Sequence, residues 1–456
     1  MLSSITRVLL FLTAFAVPLT VLKPFTVGPF IFSVSKTVTT GLLLWMPVVW
    51  LASRRPYPKD RKLPWLVAFT FSIAVSLVTG FLEGVPAITS AIIFTTYAAI
   101  ALFYVLVVYL VTDLASVRAV VLGYVVGAGF ASISVLSGSS ARTLYDRTGG
   151  LGGDPNHFAY DAAIGICFAA IIYLTFRSHL LRIASLGAGL MGLAGIVASI
   201  SRSGFVTVIA IFGLWMLRFR RFNVLVYVVP ALMIGAVGMF TVSDAWRERM
   251  STMMTAESRA DDGSIESRYV GGGLALRAFA ANPVTGVGFL RFGDWATERL
   301  RSERQSGRSG GSGGAAGHMY SGVAVHNSYL HVVAEMGLLG IVPYIGLLGL
   351  SWFDFSRAWL FARRRMDDPE MRELYYVAIF FQMALFGALV DNMFLSSLRY
   401  KSIWLLMGLS TAVLALVRRR AAQLSSEADV APEISSPLGS IPGLPNAEPG
   451  FQTRNF

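Results

Sequence analysis

The sequence predicts an all-α protein, a polytopic transmembrane helical bundle of about twelve helices. Of its 456 residues, 55% are hydrophobic and only 14% are charged, whereas a typical soluble domain carries about 25% charged residues. Apolar runs of about 18 or more residues recur along the chain, and each could cross a roughly 30 Å hydrocarbon layer as a helix. Clusters of arginine and lysine follow alternate runs, which is typical of cytoplasmic loops.

The apolar runs give the helices in chain order. The first run is interpreted as a helix rather than a cleaved signal peptide, because many similar runs follow it. The predicted helices are 4–22, 32–51, 64–81, 89–111, 115–137, 156–176, 181–200, 203–217, 222–242, 327–352, 374–395 and 402–417.

The helices divide the chain into four regions. These are transmembrane helices one to nine over 1–242, a large loop over 243–326, helices ten to twelve over 327–420, and a tail over 421–456. The tail is rich in Pro, Ser, Gly and Ala, so we expect it to be disordered and cytoplasmic. Within the loop, 264–281 is expected to form a helix, and 306–317 is a flexible insert rich in glycine and serine.

The basic clusters predict the orientation of the bundle. With twelve helices they fall on one face together with both termini, and the positive-inside rule makes that face the cytoplasmic one. This explains the net charge of +12 without nucleic acid as a partner. The clusters comprise Arg54, Arg55, Lys59, Arg61, Lys62, Arg177, Arg182, Arg218, Arg220, Arg221, Arg357, Arg363, Arg364, Arg365, Arg372, Arg418, Arg419 and Arg420.

Arg202 lies in the tight non-cytoplasmic turn between predicted helices seven and eight, between Ser201 and Ser203. An arginine at membrane depth costs about 2.5–3.5 kcal/mol on insertion scales and usually faces a partner or a wet cavity. Its planar guanidinium matches phosphate oxygens, which favours an anion-binding role. The alternative is that the side chain extends to the interface without binding a ligand.

His326 precedes the tenth predicted helix, beside Asn327. A helix N-terminus lowers the pKa of a histidine, and a neutral imidazole there could act as a base on a hydroxyl group. The alternative is a structural histidine, and His318 and His331 are competing candidates.

The long loop adds further candidates on the same face. Arg268 and Arg277 lie on its predicted helix, and Gly286 and Gly288 follow a proline break. Glycines at such positions could let backbone amides approach a ligand closely.

Two outer turns complete the candidate site. Asp154-Pro155-Asn156 opens the sixth helix, where Asn156 is either a helix cap or part of the wall of an outward-facing cavity. Arg399 breaks the positive-inside pattern in the last outer turn, so it either binds an anionic ligand or contacts the interface.

No metal or other cofactor is expected. Cys167 is the single cysteine, and no group of Cys and His has zinc spacing. Asp261 and Asp262 come nearest to a metal-binding carboxylate motif on the non-cytoplasmic face, and we interpret them as part of a solvated loop.

Several of these segments, in this order, resemble the O-antigen ligase and Wzy-type polymerase superfamily, which also includes exopolysaccharide polymerases. The most specific is His326-Asn327-Ser328-Tyr329-Leu330, with Glu335-Met336-Gly337-Leu338-Leu339-Gly340 behind it. The others are Asp154-Pro155-Asn156, Ser201-Arg202-Ser203-Gly204, and Arg268 before Pro283-Val284-Thr285-Gly286-Val287-Gly288-Phe289. The insert 306–317 departs from the family pattern.

The resemblance implies a metal-independent glycosyltransferase of the GT-C type in a bacterial inner membrane, with a periplasmic active site. The donor would be an oligosaccharide on undecaprenyl diphosphate, and the acceptor a lipid-linked glycan or lipid A–core. By resemblance, His326 would be the catalytic residue, and Arg202 and Arg268 would hold the diphosphate.

Two other classes of function remain open. A transporter or flippase of lipid-linked saccharides would place charges near the membrane midplane in repeated halves, but the helix interiors look nearly free of charge and no matching halves are evident. A structural or lipid-binding protein would function without His326. Within the enzyme class, a polymerase is slightly favoured over a ligase, and a protein glycosyltransferase is a third option.

Overall fold

The computed structural model describes residues 2–19, 25–27, 30–138, 149–219, 263–305 and 325–430. These ranges contain thirteen α-helices and one short antiparallel hairpin. The elements are α1 (Leu2–Ala16), β1 (Phe25–Val27), β2 (Phe30–Phe32), α2 (Val34–Ser53), α3 (Leu63–Leu82), α4 (Ala87–Leu110), α5 (Leu114–Leu136), α6 (Pro155–Thr175), α7 (His179–Ala198), α8 (Arg202–Arg218), α9 (Gly263–Ala281), α10 (Phe292–Gln305), α11 (Ser328–Arg363), α12 (Pro369–Asp391) and α13 (Lys401–Val430).

The predicted class, an all-helical multi-pass membrane protein, is confirmed. Within the described ranges, nine helices are long and apolar enough to cross a membrane, namely α2 to α7 and α11 to α13. α1 and α8 occupy two further predicted segments but are shorter. The remaining predicted segment, 222–242, lies outside the described residues.

Local chemistry explains where helix ends differ from the prediction. α1 ends at Ala16 rather than near 22, because Pro18 disfavours helical geometry just before it. α12 begins five residues earlier than predicted, with Pro369 in its first turn and Asp368 as its cap. α13 continues to Val430, so the first part of the predicted tail is helical. There the Arg365 guanidinium donates to the Ala421 carbonyl at 3.1 Å.

The described part of the loop between the ninth and tenth predicted helices, 263–305, contains two helices rather than one. α9 matches the predicted 264–281, but α10 was not predicted. α10 is strongly charged, with residues such as Arg299 and Glu303 on its exposed surface. Its apolar residues Phe292 and Ala296 pack with Leu274 of α9 into a small core.

Two glycines bring α1 against α5. A Cβ atom at Gly123 would lie 2.2 Å from the Phe11 carbonyl oxygen, and one at Gly127 would lie 2.1 Å from that of Phe15. This is the small-xxx-small spacing that lets transmembrane helices approach backbone to backbone. The short α1 is therefore an integral part of the bundle.

The centre of the bundle is formed by α6, α12 and α13, while α2 and α7 lie at its periphery. The expectation that helix interiors are nearly free of charge needs correction, because Asp161, Glu335, Asp354 and Asp391 are all buried. Asp354 pairs with the fully buried Lys62 at 3.0 Å. Protein partners accompany the other three, namely Tyr124 for Asp161, His331 for Glu335 and Thr207 for Asp391.

The antiparallel helices place the loops at two opposite ends. The basic face carries the loops 54–62, 111–113, 176–178 and 364–368, and the site face carries 83–86, 199–201 and 392–400. Ion pairs join sequence-distant parts of the basic face, including Arg7 with Asp113 at 2.9 Å and Arg420 with Asp368 at 2.7 Å.

Candidate active site

Helix ends from four parts of the chain meet on the site face. Asp154 lies in extended geometry before Pro155 and caps α6, accepting from the Asn156 amide at 2.8 Å. The cap of α6 is therefore Asp154 rather than Asn156. The Asn156 side-chain oxygen instead accepts from the Ser201 hydroxyl at 2.9 Å, and Ser201 caps α8. This bond joins the starts of α6 and α8.

The start of α8 is buried and polar. Arg202 is the first residue of the helix and is only 7% exposed. Ser203, the next residue, and Thr207, just over one turn into the helix, donate to Asp391, the last residue of α12, and the Thr207 bond is 3.4 Å long. The second carboxylate oxygen of Asp391 is buried and has no hydrogen-bond partner within the described part of the chain.

The start of α11 holds His326 in a fixed position. The Asn327 side chain caps the helix, accepting from the amides of Tyr329 and Leu330 at 3.0 Å and donating to the Met393 carbonyl at 3.0 Å. The Ser328 amide donates to the Asn392 carbonyl at 2.8 Å. Asn327 was predicted to bind substrate. Its side-chain amide instead bonds the backbone of the first turn of α11 and of the turn after α12.

His326 itself has a left-handed backbone, with φ of 46°. This geometry is uncommon for a residue with a side chain and is found at functional sites and turns. The pKa of His326 is lowered, first by the surrounding protein and then by the positive charge of Arg268, while Asp154 acts in the opposite direction. The imidazole is therefore neutral near pH 7.

Arg268, on α9, joins this group electrostatically. Its charge acts on His326 and on Asp391. Arg277, two and a half turns later, points elsewhere and contacts Glu303 of α10 at 3.0 Å, where it is exposed. The structure therefore brings Arg268 to the candidate site and places Arg277 in the arm formed by α9 and α10.

Gly286 and Gly288 pack against protein backbone. The Gly286 amide donates to the Asn282 carbonyl and the Gly288 amide to the Glu335 carbonyl. A Cβ atom at Gly286 would lie 2.3 Å from the carbonyl carbon of Glu335. Both have positive φ, and they fit against α11 where Gly337 (φ 56°, ψ −150°) interrupts its helical geometry. The Gly288 amide therefore holds the loop to α11, and the Gly286 amide closes the turn after α9.

The last outer turn adds an aromatic pair beside the histidine. The rings of His157 and Tyr400 stack with centroids 3.7 Å apart. Arg399 is exposed, and its charge acts on Tyr400, whose pKa is raised mainly by burial. His326 also interacts electrostatically with His157. Arg399 therefore lies on the rim of the same cluster.

The competing histidines are placed differently. The His331 Nε2 atom lies 3.0 Å from the buried carboxylate of Glu335, one turn along α11, so it is engaged there rather than with His326. His318 lies outside the described residues.

The sequence analysis did not predict the His157–Tyr400 stack or the contacts of Asp391. Both depend on the approach of α6, α8 and α12, which a linear pattern does not record. Over the described ranges, no three His, Cys, Asp or Glu side chains group as metal ligands do.

Residues 186–345 match the family model Wzy_C, described as O-antigen ligase. Arg202, Arg268 and His326 all lie within the matched segment. The match confirms the resemblance to the O-antigen ligase and Wzy-type superfamily. A search of curated proteins finds no match.

Proposed function

We propose, from the match of residues 186–345 to the O-antigen ligase family, that this protein is an inner-membrane glycosyltransferase. It transfers a glycan from undecaprenyl diphosphate to a glycan acceptor on the periplasmic face, as a polymerase of surface polysaccharide or as an O-antigen ligase. The observation that carries the proposal is the cluster of a neutral, positioned histidine with arginines at one end of a membrane bundle.

The chemistry follows from the charges of the reaction. The acceptor hydroxyl must lose a proton as it attacks the anomeric carbon, and His326 is the neutral base that can take it. The bond to the diphosphate breaks at the same time, so negative charge grows on the leaving oxygen. Arg202 and Arg268 supply positive charge for that oxygen.

Attack opposite the leaving group would invert the anomeric centre. The product linkage should therefore have the configuration opposite to that of the donor. Determination of the anomeric configuration by NMR would decide this, and retention would contradict a single displacement.

The transporter alternative lacks a specific supporting observation. The buried carboxylates Asp161 and Asp354 are engaged by Tyr124 and Lys62, respectively.

The deciding assay uses the full-length protein in detergent with undecaprenyl-diphosphate oligosaccharide, with and without lipid A–core, in the presence of EDTA. Longer lipid-linked glycan without added core identifies a polymerase, and product formed only with core identifies a ligase. Product in EDTA supports metal-independent transfer.

His326→Ala should abolish product, because it removes the base proposed to take the acceptor proton, and the neighbouring His157 ring is stacked on Tyr400. His179→Ala is the matched control, since His179 lies at the start of α7 on the basic face. His331→Ala tests the competing histidine. Turnover at the wild-type rate in His326→Ala would contradict the assigned base.

A further inference from the structure

A cavity of about 820 Å³ opens at the basic face, at the end of the bundle opposite the candidate active site. It lies among the start of α1, the loops before α5 and after α6, and the first turns of α12. None of its lining residues takes part in the proposed glycosyl transfer.

Four arginines line this cavity, and they fall into two groups. Arg7 pairs with Asp113 at 2.9 Å, and Arg118 pairs with Glu373 at 2.5 Å. Arg177 and Arg372 also line the cavity and are exposed, and no acidic partner lies within ion-pair distance of either in the described part of the chain. Two guanidinium groups, one in the loop after α6 and one on α12, thus line one cavity without an acidic partner among the described residues.

The rest of the lining combines the carboxylates of Asp113, Glu370 and Glu373 with Thr175 and a set of apolar and aromatic residues. Leu114, Leu174, Phe176 and Tyr376 contribute to the wall. Leu174 is also among the exposed large hydrophobic residues, close to the end of α6. The cavity therefore joins a cationic region at helix ends to an apolar surface on the membrane side, which is the arrangement of a phospholipid with its headgroup at the interface.

Two helix starts add to the positive potential. α5 begins at Leu114 and α12 at Pro369, and both residues line the cavity. The positive end of each helix dipole favours anions, and the caps Asp113 and Asp368 already accept from the Ser116 and Met371 amides. Their caps, Asp113 and Asp368, are already held by Arg7 and Arg420, respectively, so these carboxylates are partly neutralised.

We propose that this cavity binds one anionic glycerophospholipid from the leaflet at the basic face. Its phosphate would contact Arg177 and Arg372, and an acyl chain would follow Leu174 toward the membrane. Arginine suits this ligand because its planar fork can bind two phosphate oxygens at once.

The test measures lipid retention and thermal stability, so it is independent of glycosyl transfer. The purified full-length protein is titrated in a neutral detergent with phosphatidylglycerol, phosphatidylcholine or inorganic phosphate, and bound lipid is counted by native mass spectrometry. Wild-type protein should retain one phosphatidylglycerol and unfold at a higher temperature with it. Phosphatidylcholine and inorganic phosphate should give much smaller effects.

Arg177→Gln/Arg372→Gln should weaken phosphatidylglycerol binding by about tenfold for each arginine lost. The matched control is Arg61→Gln/Arg364→Gln, which removes the same charge from exposed positions of the basic face outside the cavity. Arg177→Lys/Arg372→Lys keeps the charge, should fold like the wild type, and should still bind less tightly. Glu370→Gln should bind more tightly, because it removes a carboxylate from the lining.

Equal affinity in the cavity variants and in the control pair would overturn the proposal. Equal stabilisation by inorganic phosphate would also overturn it, because the site would then recognise a free anion rather than a lipid.

Discussion

Two charges act in opposite directions on the imidazole of His326. Arg268 lowers its pKa and Asp154 raises it, while the surrounding protein makes the largest contribution and lowers it. Because a base must be unprotonated to accept a proton, these neighbours should set the acid limb of the pH–rate profile.

Arg268→Gln should therefore move the acid limb of kcat/KM to higher pH. Asp154→Asn should move it to lower pH, and asparagine can still cap α6. The measurement is kcat/KM against pH for the two variants and the wild type. Shifts in the same direction, or none, would contradict the assignment of His326 as the group that titrates.

Substitutions of Arg202, at the buried start of α8, test whether turnover needs the planar geometry of the guanidinium group or only its positive charge. Arg202→Ala should lower turnover by roughly 10²–10³, the usual effect of losing one donor to a developing oxyanion. Arg202→Lys should recover little, because an ammonium group cannot reproduce the planar fork. Arg277→Ala is the control, since Arg277 pairs with Glu303 on the surface. Similar rates for Arg202→Ala and Arg277→Ala would argue against a role for Arg202 in donor binding.

At the scale of elements, the loop before α10 is held to α11 by backbone contacts. The Val287 amide donates to the Ala334 carbonyl at 2.9 Å, and the Leu338 amide to the Pro283 carbonyl at 2.8 Å. The interruption at Gly337 frees these carbonyl and amide groups from the helix. The positions of α9 and Arg268 consequently depend on three glycines with positive φ.

Gly286→Ala should destabilise the protein by on the order of 1–3 kcal/mol, because alanine is strained at this φ and its Cβ would meet the α11 backbone. Gly273→Ala is the matched control on α9, where a Cβ atom would meet nothing within 4 Å. Thermal unfolding in detergent measures both. Equal unfolding temperatures for the two variants would mean that the loop can move away from the α11 backbone with little loss of stability.

The buried pair of Lys62 and Asp354 links α3 to α11 on the basic face. Lys62→Met should lower the free energy of unfolding by about 3–5 kcal/mol, because it leaves the Asp354 charge unpaired. Adding Asp354→Leu to the same chain should restore most of that stability. Arg291→Gln, which breaks an exposed contact with Asp294, should cost less than about 1 kcal/mol. An additive double variant would show that the two groups do not interact.

Hydrophobic run length predicts most of the fold, because each crossing of the membrane needs an uninterrupted apolar helix. Eleven of the twelve predicted segments are helices in the described structure. Run length does not predict α10, whose stability comes from packing on α9, nor the burial of Lys62, which depends on partners from distant helices.

For the candidate site, residue types suggested which groups to examine but not their partners. Asn156 and Asn327 are on the site face as expected, yet both bind protein atoms. The ends of four helices determine these contacts, and their relative positions follow from tertiary packing rather than from any local pattern.

For the whole molecule, orientation can be tested with the single native cysteine left in place, because Cys167 is buried. Glu298→Cys, on exposed α10, should react with an impermeant maleimide in spheroplasts whose inner membrane is intact. Arg61→Cys, on the basic face, should react only after that membrane is permeabilised. The reverse pattern would place the candidate site in the cytoplasm.

The stack of His157 on Tyr400 also bears on how the protein is made. His157 enters the membrane with α6, whereas Tyr400 is synthesised more than two hundred residues later, just before the last helix. The nascent chain therefore carries an incomplete site through most of its insertion. A chain that stops before Tyr400 would keep Arg202 and His326 but would lack the stack of His157 on Tyr400. Premature release from the ribosome should therefore give membrane-embedded but inactive protein.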